Sequence, residues 1–290
     1  MQVGICFPMT MEQPRQRELF LSWCQAADNS PLSSIALGDR IAYESQDPLV
    51  ALAVAAGATR RIRLISSVIA LPVRSTPMFA KEVATLDVLS GGRFTLGVGI
   101  SSRPQDFAST RMSYNGRAKR FETQVSELRA IWSGQSLVDD TPAIGPLPLT
   151  PGGPKIVFGP IMEPAFRRAG RLADGIMTWS FKPDPEMQRW GIRITEEAWR
   201  EAGRPGRPMV LAAMYVALGP DAENRLRSYL SSYYGYSDIT RELALTATTY
   251  TPQAVKDAIA AYADAGVDEI LFAAADPGVD QVERLAELVP

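Results

Sequence analysis

Asp39 and Arg40 stand side by side in the run LGDR, a carboxylate and a guanidinium able to pair with each other or to face a ligand. Ser66 and Ser67 interrupt the apolar run RLISSVIAL. Two adjacent hydroxyls there are costly to bury unless each is hydrogen-bonded, either to a ligand or to neighbouring backbone. The turn Gly97-Val98-Gly99-Ile100-Ser101-Ser102 offers backbone amides near Gly99 to a planar ligand, or is a simple tight turn. It lacks the third glycine of a dinucleotide fingerprint, which disfavours a Rossmann site. The chain contains no histidine. Histidine is the commonest metal ligand and the commonest general base near neutral pH, so zinc-protease motifs and histidine-based triads are excluded. Chemistry must come from a cofactor, or from carboxylates, Tyr, Arg, Cys and Ser. The two cysteines, Cys6 and Cys24, match neither a disulfide framework nor metal-ligand spacing and read as buried apolar fillers. No metal site is expected.

These groups need elements to hold them. Short apolar, β-branched runs recur at residues 3–7, 34–37, 62–68, 94–98, 155–158, 175–179, 209–216 and 269–274, and read as eight strands. Helical patterns fall between them at 48–59, 77–89, 117–133, 164–173, 185–202 and 252–265. Several begin with an oxygen-bearing residue before proline: Asp47-Pro48, Thr76-Pro77, Asp184-Pro185 and Thr251-Pro252. Gly91 and Gly266 stand where a left-handed cap would end two of them. Strands alternating with helices imply a parallel sheet, and eight such units in 290 residues fit a closed (β/α)8 TIM barrel of mixed α/β class. We read residues 1–290 as a single barrel domain. Segments 135–154 and 228–249 break the rhythm and are expected to be insertions at the C-terminal face. Tyr229, Tyr233, Tyr234 and Tyr236 in the second either pack a helix on the barrel wall or form a lid. In the run ATLDVLSGGRFTLG, Asp87 and Arg93 are placed to pair across a turn.

Composition narrows the partners. Thirty Lys+Arg against 32 Asp+Glu leave a net charge of −2, with no basic stripe to track a phosphate backbone, so no nucleic acid is expected. The first residues, MQVGICFPMTMEQPRQ, lack a signal-peptide pattern, and no apolar run is long enough to span a bilayer. The expectation is a cytoplasmic protein without a membrane partner.

The run around Asp87, with helix end LDVLSGGR followed by a strand and Gly-x-Gly, resembles the hallmark of the luciferase-like monooxygenase family. The likeness continues through AAGATRRIRL, the stretch from Pro72 to Ala80, RAKRFETQVSELRAIW and GRLADGIM. It implies a barrel that binds FMN, or in some branches coenzyme F420, at the C-terminal strand ends. The ring would lie near Asp39, Ser66, Ser67 and Gly99. A non-proline cis peptide is implied between Ser66 and Ala70. The phosphate would be held by Arg117 and by backbone amides near Gly159, Ile161 and Met162, although Pro160 there offers no donor. Many relatives carry histidine where this chain has Arg40, leaving Asp39, Glu44 and Tyr114 as acid/base candidates and Arg40 as an electrostatic stabiliser.

The expected function is oxygenation of a small organic substrate with reduced FMN, supplied by a separate flavin reductase, and O2. The alternatives are F420-dependent hydride transfer and a flavin-binding barrel without catalysis. The resemblance also implies a homodimer.

Overall fold

The computed structural model describes residues 1–9 and 16–289. Its strands are β1 (Gln2–Cys6), β2 (Ser34–Leu37), β3 (Arg63–Ser66), β4 (Ile69–Ala70), β5 (Phe94–Gly99), β6 (Lys155–Phe158), β7 (Gly175–Trp179), β8 (Met209–Val216) and β9 (Glu269–Ala274). The helices are α1 (Gln16–Asp28), α2 (Pro48–Ala58), α3 (Thr76–Ser90), α4 (Pro104–Ser109), α5 (Arg117–Trp132), α6 (Glu163–Leu172), α7 (Pro185–Glu201), α8 (Ala222–Tyr233), α9 (Asp238–Ala244), α10 (Pro252–Asp264) and α11 (Asp280–Ala286).

Every strand pairing is parallel, and β1 pairs with β2 on one side and β9 on the other. Both β3 and β4 pair with β5, through Leu64 opposite Phe94 and Ile69 opposite Val98. They are therefore one strand position of the barrel, interrupted at a cis peptide between Ser67 and Val68. The ring closes with eight positions, as the sequence pattern implies. Strand residues are buried on both faces, β5 along its whole length, because side chains alternately fill the barrel and meet the helices around it.

Local chemistry sets the helix starts. Asp47 accepts from the amides of Leu49 and Val50, Asp184 from Met187 and Thr251 from Ala254, each with proline in the first turn. At α3 the cap position is Ser75, one residue before the expected Thr76, and its side chain makes no capping bond. Gly91 ends α3 in the left-handed conformation at φ 68°.

Two expectations are overturned here. Asp87 does not pair with Arg93: it is buried and accepts from the amide and hydroxyl of Thr150 at 2.8 and 3.0 Å. Arg93, carried past the Gly91-Gly92 turn, donates instead to the carbonyls of Ala56, Thr59, Ile62 and Ser90. Ala56 and Thr59 lie at the end of α2, where carbonyls lack helical partners. Segment 135–154 follows α5 and enters β6, which places it on the N-terminal side. There it lies along α3, with Lys81 donating to Gly145 at 2.6 Å, and it does not cover the C-terminal face. The other irregular segment does lie at the C-terminal face and is largely helical, forming α8 and α9.

Candidate functional site

A cavity of about 450 Å³ opens at the C-terminal ends of the strands, and its two sides differ in character. One side is backbone-rich: Gly38 and Asp39 after β2, Ser67 and Val68 at the interruption of the third strand position, and Gly159 after β6. Val68 is wedged against glycines, since a Cβ on Gly99 or Gly159 would sit 3.1 or 3.0 Å from its Cγ2. The Ser67 hydroxyl is buried, makes no hydrogen bond to nitrogen or oxygen among the described residues, and faces the Cys6 thiol, whose charged form it favours. Ser66 behaves differently. Its Oγ donates to the Gly97 carbonyl at 3.0 Å and accepts from the Gly97 amide at 2.9 Å, joining β3 to β5.

Asp39 anchors this side. Its Oδ2 accepts from the Ala70 amide at 3.0 Å and from Arg74 at 3.1 Å, while its carbonyl accepts from Arg103 at 3.0 Å. Arg74 reaches on to Asp47 at 3.1 Å. Burial works against the Arg74 charge, but Asp39 and Asp47 outweigh it and shift its pKa upward. Arg103 is gripped by buried Asp106 at 3.1 Å; burial again opposes the charge, and Tyr233 and Asp106 more than offset it. Asp39 does not pair with Arg40. Successive residues leaving an extended strand point in opposite directions, and the Arg40 guanidinium lies 4.0 Å from the Tyr43 ring centre and 4.9 Å from those of Tyr233 and Tyr236.

The other side is aromatic. Trp179 ends β7, Tyr215 lies near the end of β8, and Tyr229 and Tyr233 come from α8, with Tyr234 just beyond. Of the two readings for this tyrosine-rich segment, both hold in part, because the helix packs on the barrel and its rings line the cavity. Burial pushes the Tyr215, Tyr229 and Tyr234 hydroxyls well above the usual tyrosine range, and the Cys6 thiol at the cavity base up to about 12. These groups stay neutral and serve as donors or as apolar surface, not as nucleophiles.

That protonation has a consequence for stability. Cys6 and Cys24 both rise from 9.0 to about 12 on folding. Groups raised in the folded state contribute stability that is intact below the unfolded pKa and lost as pH climbs toward the folded one. Unfolding free energy should therefore fall from pH 9 upward, by about 1.4 kcal/mol per pH unit for each thiol, taking the melting temperature down with it, and more steeply once unfolded-state tyrosines ionise. Thermal melts between pH 8 and 11 test this; Cys6→Ala should flatten the first part of the slope, and an unchanged slope would refute the cause.

The other sequence candidates fall into two groups. Asp39, Ser67, Gly159 and Ile161 line the cavity, while Gly99 backs Val68 beneath it. Arg40, Glu44, Ser66, Tyr114, Arg117 and Met162 do not line it. Arg117 lies 3.8 Å over the Tyr114 ring and donates to the Ser101 carbonyl at 3.1 Å. Ile161 and Met162 leave their side chains in solvent. Arg103, Trp179 and Tyr215 were not singled out by sequence reasoning, yet each had a signal: an aromatic residue near the C-terminal end of a barrel strand, or, for Arg103, a charged one in the loop after it.

A second hollow, about 540 Å³, lies at the opposite end of the barrel. Apart from Lys155, its charges are cross-paired, Arg63 with Glu269 at 2.6 Å, Arg204 with Asp174 at 3.7 Å and Arg207 with Asp268. It reads as structural, and the smaller, more apolar cavity is the candidate site. Among the described residues no group of three or more His, Cys, Asp or Glu side chains could hold a metal ion, and no helix is long and apolar enough to cross a membrane.

Comparison with known proteins agrees with this architecture. An uncharacterised protein of Mycobacterium tuberculosis is 31% identical over 174 residues, covering 57% of this chain and 60% of its own length. An F420-dependent secondary alcohol dehydrogenase, solved with an F420-acetone adduct, superposes with TM-score 0.78 at 18% identity, covering 100% of this chain and 98% of that one. The oxygenating constituent of 3,6-diketocamphane monooxygenase from Pseudomonas putida, solved with FMN, gives 0.76 at 17% identity over 100% and 98% of the two chains. At such identities the two structures speak for the fold alone. The sequence profile of the luciferase-like monooxygenase family matches residues 1–269, and with the hallmark helix end, the closed barrel and the two-sided cavity in place, the chain belongs to that family.

Proposed function

We propose that this protein is a flavin-dependent monooxygenase, working as one barrel domain, that uses reduced FMN and O2 to oxygenate a small organic molecule. The observation that carries the reading is the two-sided cavity, whose backbone side sets Gly38 and Gly159 beside the Val68 platform. A flat ring system fits such a side: it needs close backbone approach and a few fixed donors. FMN, when bound, supplies the redox chemistry. The chain supplies position and dryness. Ser67 would donate to the ring, Asp39 fixes the backbone at Ala70, and the aromatic side keeps water from the space opposite. Arg117, on the rim, would hold the phosphate. The first turn of α6 is a poor helper, since Glu163 is acidic and Pro160 and Pro164 have no amide proton. The amides of Ile161 and Met162 remain the donors assigned there. Arg40 and Tyr114 would act from the edge, through charge and through the Arg117 contact.

The test is a parallel titration of FMN and F420, oxidised and reduced, followed by turnover with O2. Tight binding of reduced FMN and O2-dependent product formation are expected. Binding of F420 with bleaching that needs no O2 would replace this reading with hydride transfer, and flavin binding without any turnover would leave a non-catalytic carrier. The assignment further entails a separate reductase to deliver reduced FMN and a cytoplasmic location.

The homodimer is proposed from α2. Its sequence, PLVALAVAAGA, is apolar on every face, a pattern expected of a buried helix. Val50 and Val54 are nevertheless 67% and 47% exposed, one turn apart, and Met78 on neighbouring α3 is 58% exposed. A second copy laid on this face would bury them. Val54→Glu should shift the protein from dimer to monomer in sedimentation velocity; a monomeric wild-type protein would end the proposal.

A further inference from the structure

We propose that the substrate is a fused-ring aromatic molecule bearing an acidic hydroxyl, seated against the tyrosine side of the cavity with its oxygen on Arg103. The inference rests on the flavin-enzyme reading only for which molecule reacts; the binding argument stands on the cavity itself.

Ring geometry comes first. Tyr229 and Tyr233 are parallel, with centres 6.0 Å apart and planes 4° apart, and Tyr234 stands edge-on to Tyr233 at 83°. Tyr215 is edge-on to Trp179 at 4.8 Å and 74°. The side is thus a corner of flat faces and edges, which rewards another aromatic ring with stacked and edge contacts beyond simple burial. A linear alkyl chain would gain burial alone.

The hydroxyls on this side are largely committed. Those of Tyr215 and Tyr234 bond each other at 3.0 Å, and that of Tyr229 accepts from the Met9 amide at 3.0 Å. A molecule with many polar groups, such as a sugar, would leave most of them unpaired.

Charge selects among aromatic ligands. Two charged side chains line the cavity among the described residues, Asp39 and Arg103. The Asp39 carboxylate is already engaged by Arg74 and the Ala70 amide. Arg103 spends Nε on Asp106, one terminal N–H on the Asp39 carbonyl and another on the Tyr233 hydroxyl, which leaves about two of the five N–H donors a guanidinium carries. A cationic ligand would meet Arg103 with no free counter-charge. An ionised phenol or enol would find a charge-assisted hydrogen bond.

The experiment uses 1,8-dihydroxyanthraquinone, unsubstituted anthraquinone and decanal, titrated against the protein with and without its bound flavin. The dihydroxy compound should bind at least tenfold more tightly than anthraquinone, with its absorbance shifted toward the phenolate. Arg103→Gln should shrink that preference below threefold, and Arg103→Lys should restore part of it. Because Arg103 also holds buried Asp106, Trp179→Ala provides a second variant on a half-exposed position. It should weaken both anthraquinones fivefold or more and leave decanal unchanged. Equal affinity for the two anthraquinones in the wild-type protein, or tighter binding of decanal than of either, would overturn the proposal. Arg103-dependent binding in a protein that takes up neither FMN nor F420 would sink the cofactor reading and leave the pocket assignment standing.

Discussion

Replacing Asp39 by alanine is expected to lower cofactor-dependent turnover by about 100-fold, the scale on which a displacement near 1 Å at a reacting centre is felt. The carboxylate acts by positioning, not by taking part in the chemistry. It satisfies the buried Ala70 amide and half of the Arg74 guanidinium, and through them it fixes the short β4 segment that follows Val68. Without it, a buried donor and a partly paired cation remain, at a cost of about 3 kcal/mol. Asp39→Asn keeps an oxygen for the Ala70 amide and should stay within about tenfold of the wild-type rate. Turnover and flavin affinity measured on both variants decide the matter. If Asn falls as far as Ala, the charge itself is used and the positioning account is wrong.

Gly97→Ala should damage the fold more than any surface change. A Cβ at this position would sit 2.0 Å from the Ser66 carbonyl oxygen and 3.1 Å from its carbon, which are backbone atoms with little room to move. The same residue exchanges two hydrogen bonds with the Ser66 hydroxyl, so relieving the clash breaks the joint between β3 and β5. Overpacking of this kind costs about 3 kcal/mol or more, equivalent to a drop in Tm of roughly 6 °C or more. Thermal unfolding by circular dichroism reads it directly, and a drop below about 2 °C would show that the two strands part more easily than the geometry implies.

The barrel was largely legible because its signals are local. A strand buried on both faces announces itself as a short run of Val, Ile, Leu and Ala, and strands such as β6, β7, β8 and β9 begin and end where those runs do. Asp-Pro and Thr-Pro pairs set helix starts by chemistry contained within four residues. The short helices α4, α9 and α11 were not legible, being six or seven residues long, too brief for a helical period to emerge.

The site was legible only in outline. Which residues end strands can be read from the chain, so Asp39, Ser67 and Gly159 could be placed at the C-terminal strand ends, where the candidate cavity opens. Which way a side chain turns cannot, because the Asp39 carboxylate is claimed by the Ala70 amide, 31 residues away, and by Arg74, 35 residues away. The expected Asp87–Arg93 pair failed for this reason, and so did the pairing option for Asp39 and Arg40. Proximity in sequence made them plausible, and better donors and acceptors brought in from elsewhere in the barrel displaced them.

The pairing of β1 with β9 bears on how the chain reaches its native form. One edge of β1, from Gln2 to Cys6, is completed only by residues 269–273. Until that last strand has been made, the growing chain carries an open sheet with bare amides and carbonyls flanked by Val3 and Ile5, a template for pairing with a neighbouring chain. Contacts so distant in sequence also form slowly. Synthesis halted before β9 should therefore yield aggregates, with ring closure, and with it protection of β1, deferred until residues 269–273 have been made.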